Sequence, residues 1–167
     1  LDYRGSVRQV IFRYKDHGIR SLARELGPAL AAAIDYVTDV STEHPSDPIL
    51  VPMPARRISR RRRGFDHVRL LADQASSYTG GRSGRLSVST ILRDTRSDAG
   101  SKRLGVAERE LHTRGAFATT SPLPRPDQPV IVIDDIVTTG TTAREVAATL
   151  ILAGVNVIGV ATVAGTP

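Results

Sequence analysis

Residues 130–142, VIVIDDIVTTGTT, set two adjacent carboxylates, Asp134 and Asp135, at the end of an apolar run and follow them with Thr138, Thr139, Gly140, Thr141 and Thr142. Carboxylates repel phosphate. A threonine–glycine turn that opens a helix attracts it through unpaired backbone N–H groups, the helix dipole and hydroxyl donors. A ligand carrying both hydroxyls and a phosphate reconciles the two halves. The acids accept hydrogen bonds from vicinal hydroxyls and can hold Mg²⁺ directly or through water, while the turn cradles the phosphate. A ribose with a 5-phosphate has this layout. The segment is not a Walker loop, because no Lys follows the glycine, and GxGxxG is absent. The plain alternative is a strand, a turn and a helix cap carrying surface aspartates.

A second block, VPMPARRISRRRRGFDH (51–67), carries six arginines between Arg56 and Arg63. It reads as a solvated basic run, as a nucleic-acid patch, or as a loop at the same sheet edge as the acids. At that edge arginines could hold a pyrophosphate by bidentate bonds. No aromatic is interleaved within the run, which weakens a single-strand-binding role. Arg93, Arg96, Lys102, Arg103 and Arg109 form either a lid over pyrophosphate or a solvated basic loop. His17, His44, His67 and His112 are scattered without metal-ligand spacing. His67, beside the arginines at the start of a helix, is the histidine placed for a role in the site. GRSG at 81–84 matches a GxxG nucleic-acid loop but lacks the surrounding pattern, and reads as a flexible connection.

These residues need elements to position them. Val7, Val10, Ile11 and Tyr14 share one face of a short helix, and a longer apolar pattern runs from Ile19 to Val37 with a kink or break expected at Gly27-Pro28. ILVP (49–52) reads as a short buried strand, followed by a loop of arginines. Val68, Leu71, Ala72 and Ala75 mark a helix ended by Gly80-Gly81. LSVSTIL (86–92) alternates like a strand. Residues 93–114 are weakly patterned, with a short helix near 105–111, and read as a mobile functional loop. GAFAT (115–119) is another short strand. A buried strand over 130–134, a helix over 143–153 capped by Gly154 and a buried strand over 155–163 make a βαβ unit with parallel strands. The prediction is therefore an α/β fold with a mostly parallel twisted sheet flanked by helices, a helical part over 1–40, and one domain over 1–167.

Composition sets outer bounds. The 167 residues suffice for one domain with a core, and 40% are hydrophobic. Lys and Arg number 23 against 17 Asp and Glu, a net charge of +6 that favours polyanionic partners: nucleic acid, anionic lipid or phosphorylated metabolites. Cysteine is absent, so thiolate metal sites and disulfides within this sequence are excluded, in keeping with a cytoplasmic setting. No signal peptide shows. The apolar stretch 150–163 is broken by Gly154, Asn156 and Gly159 and reads as a helix end plus a strand rather than a membrane span.

VIVIDDIVTTGTT resembles the 5-phosphoribosyl 1-pyrophosphate (PRPP) motif of type I phosphoribosyltransferases. VPMP…R…RRGFDH..LLA is similar to the ComF subgroup, a competence-associated family with a usual form near VPVP…R..RGFNQ..LA. The opening YRGSVRQVIFRYKDHG and the block LRDTRSDAG…R…RGAF resemble that subgroup's start and its flexible loop, so the resemblance covers nearly the whole chain. It implies Mg²⁺-PRPP as donor, a nitrogen nucleophile as acceptor and pyrophosphate as leaving group. It assigns the ribose hydroxyls and Mg²⁺ to Asp134 and Asp135, the 5-phosphate to Thr138, Thr139, Gly140, Thr141 and Thr142, and the pyrophosphate to Met53, Pro54, Ala55, Arg56 and Arg57. Arg63, His67, Arg93, Arg103 and Arg109 fall to a lid or acceptor role. The departures are Asp66 and His67 in place of an amide pair, His112 in place of an Asn, and no Gln near Asp98-Ala99-Gly100. They bear on the acceptor site. Many relatives carry an N-terminal zinc module, which is expected to be lost or to lie outside this sequence. Type I relatives are often dimers, though no patch in the sequence compels one. Three functions stay open: a transferase, a PRPP or nucleotide binder without turnover, and a DNA-uptake accessory contacting DNA through its basic surface.

Overall fold

The computed structural model describes residues 1–41, 46–79, 85–96 and 115–166. Strands β1 (Ile49–Pro52), β4 (Pro129–Val137) and β5 (Asn156–Gly165) form a parallel sheet in the order β1-β4-β5, and β2 (Leu92–Asp94) pairs antiparallel with β3 (Phe117–Thr119). The helices are α1 (Gly5–Lys15), α2 (Leu22–Val40), α3 (Arg57–Arg63), α4 (His67–Ala75) and α5 (Thr141–Leu152). This is the α/β architecture expected, a parallel sheet with helices on both faces.

β4 is the central strand, and its alternation builds two cores. Ile131 and Ile133 pack with Ile11 and Tyr14 of α1, Leu30 and Ile34 of α2 and Leu71 of α4. Val130 and Val132 pack on the other face with Val146 and Leu150 of α5 and with Phe117 of β3. α2 comes so close to β5 that a Cβ on Gly159 would lie 2.5 Å from Val37 Cγ1. α5 ends in a Schellman motif: Gly154 N–H donates to the Ile151 carbonyl at 2.9 Å and Val155 N–H to the Leu150 carbonyl at 3.0 Å.

Several boundaries differ from the sequence reading. α2 runs unbroken through Pro28. Gly27 before it has no Cβ to meet the proline ring, which removes part of the usual pre-proline clash. The arginine run is not a loop: residues 57–63 form α3, which buries no residue and so leaves no apolar period to read. α4 stops at Ala75, short of Gly80-Gly81, where the Ser76 and Ser77 hydroxyls donate to the Asp73 carbonyl. Residues 86–91 make a single bridge, Val88 to Leu50, and the strand follows at 92–94. β4 does not end at the acids but continues to Val137, paired with Gly165. The first half of β5 is half-buried rather than buried. The helix near 105–111, most of the 93–114 loop and the GxxG at 81–84 lie outside the described residues. Among the described residues, no helix is long and apolar enough to cross a membrane.

Candidate functional site

The C-terminal ends of β1 and β4 face two adjoining hollows. The smaller, about 90 Å³, is lined by Asp134, Ile136, Val137, Thr138, Thr139, Gly140, Thr141, Thr142, Ala143 and Thr162. Gly140 adopts φ +72°, a left-handed turn that side chains resist, and it delivers the chain into the first turn of α5. Thr141 N–H makes a long bond to Thr139 Oγ1 at 3.4 Å. The Thr142 and Ala143 N–H groups have no protein acceptor among the described residues, and both residues line the hollow. Open donors at a helix start, hydroxyls around them and no lysine form a cradle for a phosphate-sized anion.

The larger cleft, about 290 Å³, is walled by Lys15, Met53, Pro54, Ala55, Arg56, Ser59, Arg63, His67, Val68, Arg96 and Phe117, and it shares Asp134 and Thr142 with the cradle. Its charged side chains are therefore cationic except for Asp134. Arg96 is held by Asp94, with Nε 2.9 Å from Oδ1 and a second contact from Nη2 to Oδ2, and its guanidinium lies 5.1 Å from the centre of the Phe117 ring. Locked this way, Arg96 loses little conformational freedom when it binds an anion.

The pleat of β4 divides the acid pair. Asp134 is half-buried on the α5 face, at the junction of cradle and cleft. Asp135 turns to the opposite face and is buried, 2% exposed. Its Oδ2 lies 2.8 Å from Lys15 Nζ and 3.3 Å from His67 Nε2, and Lys15 also donates to Oδ1 at 3.1 Å. The Asp135 N–H donates to Asp134 Oδ1 at 2.8 Å. Burial and the neighbouring Asp135 charge push the Asp134 carboxyl up to about 7. Burial raises Asp135 as well, but the contacts from His67 and Lys15 outweigh it and hold this carboxyl below the usual range. Tyr14 donates its hydroxyl to the His67 carbonyl at 2.5 Å, and burial followed by the Asp135 charge raises its phenol.

Of the predicted site residues, Asp134, the Thr138–Thr142 turn, Met53, Pro54, Ala55, Arg56, Arg63 and His67 converge on the two hollows. Arg57 opens α3 on the exposed side and Arg93 alternates outward on β2, and neither lines a hollow. Asp135 does not share a face with Asp134, and it lines neither hollow. Arg103, Arg109, Lys102, His44 and His112 lie outside the described residues. Lys15 is a wall residue that the reading of the sequence left out of the site. Its signal was its place four residues after Ile11, on the buried face of α1. Ser59, Phe117 and Thr162 carried no comparable signal.

Among the described residues, no group of three or more His, Asp or Glu could hold a metal ion. An all-protein cage is thus missing there, while a single carboxylate beside an anion cleft fits Mg²⁺, which keeps waters and rides on substrate phosphates. Asp134 is the residue that opens to both hollows, whereas Asp135 is buried beside Lys15 and His67 and lines neither.

No protein-family profile matches the chain, and no curated protein matches it. Among solved structures it is similar to the allosteric regulatory enzyme of purine biosynthesis, with 19% identity and a TM-score of 0.44 over 82% of this chain and 26% of that one. It is also similar to a hypoxanthine phosphoribosyltransferase from Staphylococcus aureus, with 13% identity and a TM-score of 0.36 over 81% of this chain and 61% of that one. The chain therefore spans 26% of the first protein's length and 61% of the second's.

Proposed function

We propose that the chain binds PRPP with Mg²⁺ and transfers its phosphoribosyl group to a nitrogen nucleophile, releasing pyrophosphate. The observation that carries this reading is the junction: an uncharged phosphate cradle and a cationic cleft meet at one carboxylate, Asp134. Phosphate, hydroxyls and pyrophosphate occur in that order along PRPP. The cradle takes the 5-phosphate, Asp134 accepts from the ribose hydroxyls, and Arg63 and Arg96 face the pyrophosphate. When bound, Mg²⁺ supplies charge neutralisation on the pyrophosphate. As the C1–O bond breaks, its electron pair leaves with pyrophosphate and positive charge grows on the ribose. The nitrogen then donates its lone pair to C1 and passes its proton to water or to the departing pyrophosphate. The carboxylate of Asp134 lowers the energy of the growing ribose charge, and the guanidinium groups lower that of the departing anion.

Calorimetric titration of PRPP, with and without Mg²⁺, tests the reading. Micromolar affinity, ~ −8 kcal/mol, is expected in the presence of Mg²⁺ and is expected to disappear in Asp134→Asn. Pyrophosphate release on adding a nitrogenous acceptor separates transfer from binding alone. No PRPP binding by the unaltered chain would sink the proposal.

A second reading rests on α3. Arg57, Arg60, Arg61 and Arg62 are all exposed on a helix that buries nothing. Such a stripe suits a nucleic-acid backbone and is the observation favouring DNA contact. Binding to a short duplex or single strand should then fall steeply as salt rises. Absence of binding at low salt would remove this reading.

A further inference from the structure

A polar chain starts on the cleft wall, which Arg63, His67 and Lys15 line, and ends on Asp135, which is buried and lines neither hollow. Arg63 Nη1 lies 2.9 Å from His67 Nδ1. A guanidinium has only donors, so Nδ1 must be the acceptor and carries no proton. The ring proton then sits on Nε2, which lies 3.3 Å from Asp135 Oδ2 in a contact that is short of hydrogen-bond geometry. Lys15 neutralises that carboxylate, with Nζ 2.8 Å from the same oxygen. In this arrangement the ring is neutral, and Lys15 and Asp135 cancel. The uncompensated charge of the cluster is Arg63: among the described residues no carboxylate lies within ion-pair distance of it, and its buried Nε has no partner. His67 is 4% exposed and its unprotonated nitrogen already accepts from Arg63, so it is not free to take a proton from an acceptor.

We infer that His67 is a positioning residue for the leaving-group site: through Nδ1 it sets the Arg63 guanidinium on the cleft wall for pyrophosphate, and Asp135 with Lys15 holds the ring in the form that can do so. The inference rests on the phosphoribosyl reading and deepens it. It assigns Asp135 a task that the pleat of β4 denies it at the ribose: it orients a histidine that orients an arginine. It also explains why a half-buried lysine is paired with a buried aspartate beside a cationic cleft. A free Lys15–Arg63 pair would repel, whereas this order leaves one cation facing the ligand.

The two amides separate the nitrogens of His67. An Asn side chain puts an oxygen where Nδ1 lies, keeping the acceptor for Arg63. A Gln side chain reaches only the Nε2 position, keeping the contact with Asp135. Titration of inorganic pyrophosphate with Mg²⁺, and separately of ribose 5-phosphate, is the measurement. His67→Gln is expected to weaken pyrophosphate about tenfold, His67→Asn no more than about threefold, and neither should change ribose 5-phosphate affinity. In an Arg63→Ala background, His67→Gln should cost nothing further. Equal losses in both amides, additive losses with Arg63→Ala, or a parallel fall in ribose 5-phosphate affinity would each overturn the inference. If neither His67 variant folds, Arg63→Ala, on the cleft wall, still decides it: unchanged pyrophosphate affinity refutes the role. An unaltered chain that binds ribose 5-phosphate but not pyrophosphate refutes the inference alone, and one that binds neither refutes the phosphoribosyl reading beneath it.

Discussion

The same substitution at two neighbouring positions, Asp134→Asn and Asp135→Asn, should change stability in opposite directions. Asp135 is buried against Lys15 at 2.8 Å and His67 at 3.3 Å. Charge-assisted hydrogen bonds contribute about 1.5–3 kcal/mol. An amide retains part of this, and Lys15, with 34% of its side chain exposed, can partly rehydrate. A loss of about 2–3 kcal/mol follows. For a domain of this size that lowers Tm by about 4–12 °C. Asp134 instead bears a charge that its surroundings resist, with its carboxyl raised to about 7. Three units at 1.36 kcal/mol each set a ceiling of about 4 kcal/mol, and partial exposure and coupling to Asp135 reduce this to about 1–2 kcal/mol. Removing the charge should raise Tm at pH 8.

The pH dependence fixes the signs. Between about pH 4 and 7 the folded state holds a proton on Asp134 that the unfolded state has lost, so stability falls as pH rises through this window. Asp134→Asn removes that fall, and its gain should vanish below about pH 4. Asp135 behaves inversely. The unfolded chain takes up the proton first, so its contribution is present above the ordinary carboxyl value and fades as pH drops below it. Thermal melts of the three proteins from pH 3.5 to 8 are the assay. If both variants melt lower than the parent at pH 8, or if the Asp134→Asn gain is independent of pH, the assignment of the two acids to opposite faces and environments is refuted.

Two further predictions concern packing and charge. Gly159→Ala should cost about 1–3 kcal/mol, because its Cβ would stand 2.5 Å from Val37 Cγ1, and Val37→Ala should restore much of the loss. Chemical denaturation of the single and double variants measures this, and an additive result would discard the steric explanation. Arg57→Ala should leave pyrophosphate affinity within about twofold at 0.15 M salt, because Arg57 lines neither hollow and exposed charges are screened over about 8 Å. Calorimetry with Mg²⁺-pyrophosphate checks it, and a tenfold loss would place α3 over the cleft.

Much of the fold was legible because burial leaves a period. The β4–α5–β5 unit could be read from its continuous apolar runs and from Gly154, since both strands are covered by helices on at least part of their length. α3 left no such trace, being held by backbone bonds and a favourable residue type rather than by a core. Within the candidate site, residue types pointed to the Thr138–Thr142 turn at a helix start, and that turn lines the smaller hollow. The separation of Asp134 and Asp135 onto opposite faces was hidden by a three-residue difference in where β4 ends, at Val137 rather than at 134. An acid at the mouth of a strand and an acid inside one look alike in sequence, and only the register to Thr162 and beyond separates them. Lys15 was hidden by distance along the chain, since nothing near it hints at a partner 120 positions away.

That separation has a consequence for how the protein comes into being. The cation wall begins on the first helix, yet its anchor is in the central strand, which pairs in turn with the last strand. During synthesis α1 must wait, with an unpaired lysine, until the strand 120 positions further on has been made. Closing so long a loop comes late and slowly relative to local helix formation. The candidate site is thus an outcome of the assembled fold rather than of a local fragment. A ligand seated in it should hold early and late segments together, and should slow proteolysis throughout the chain rather than only near the site.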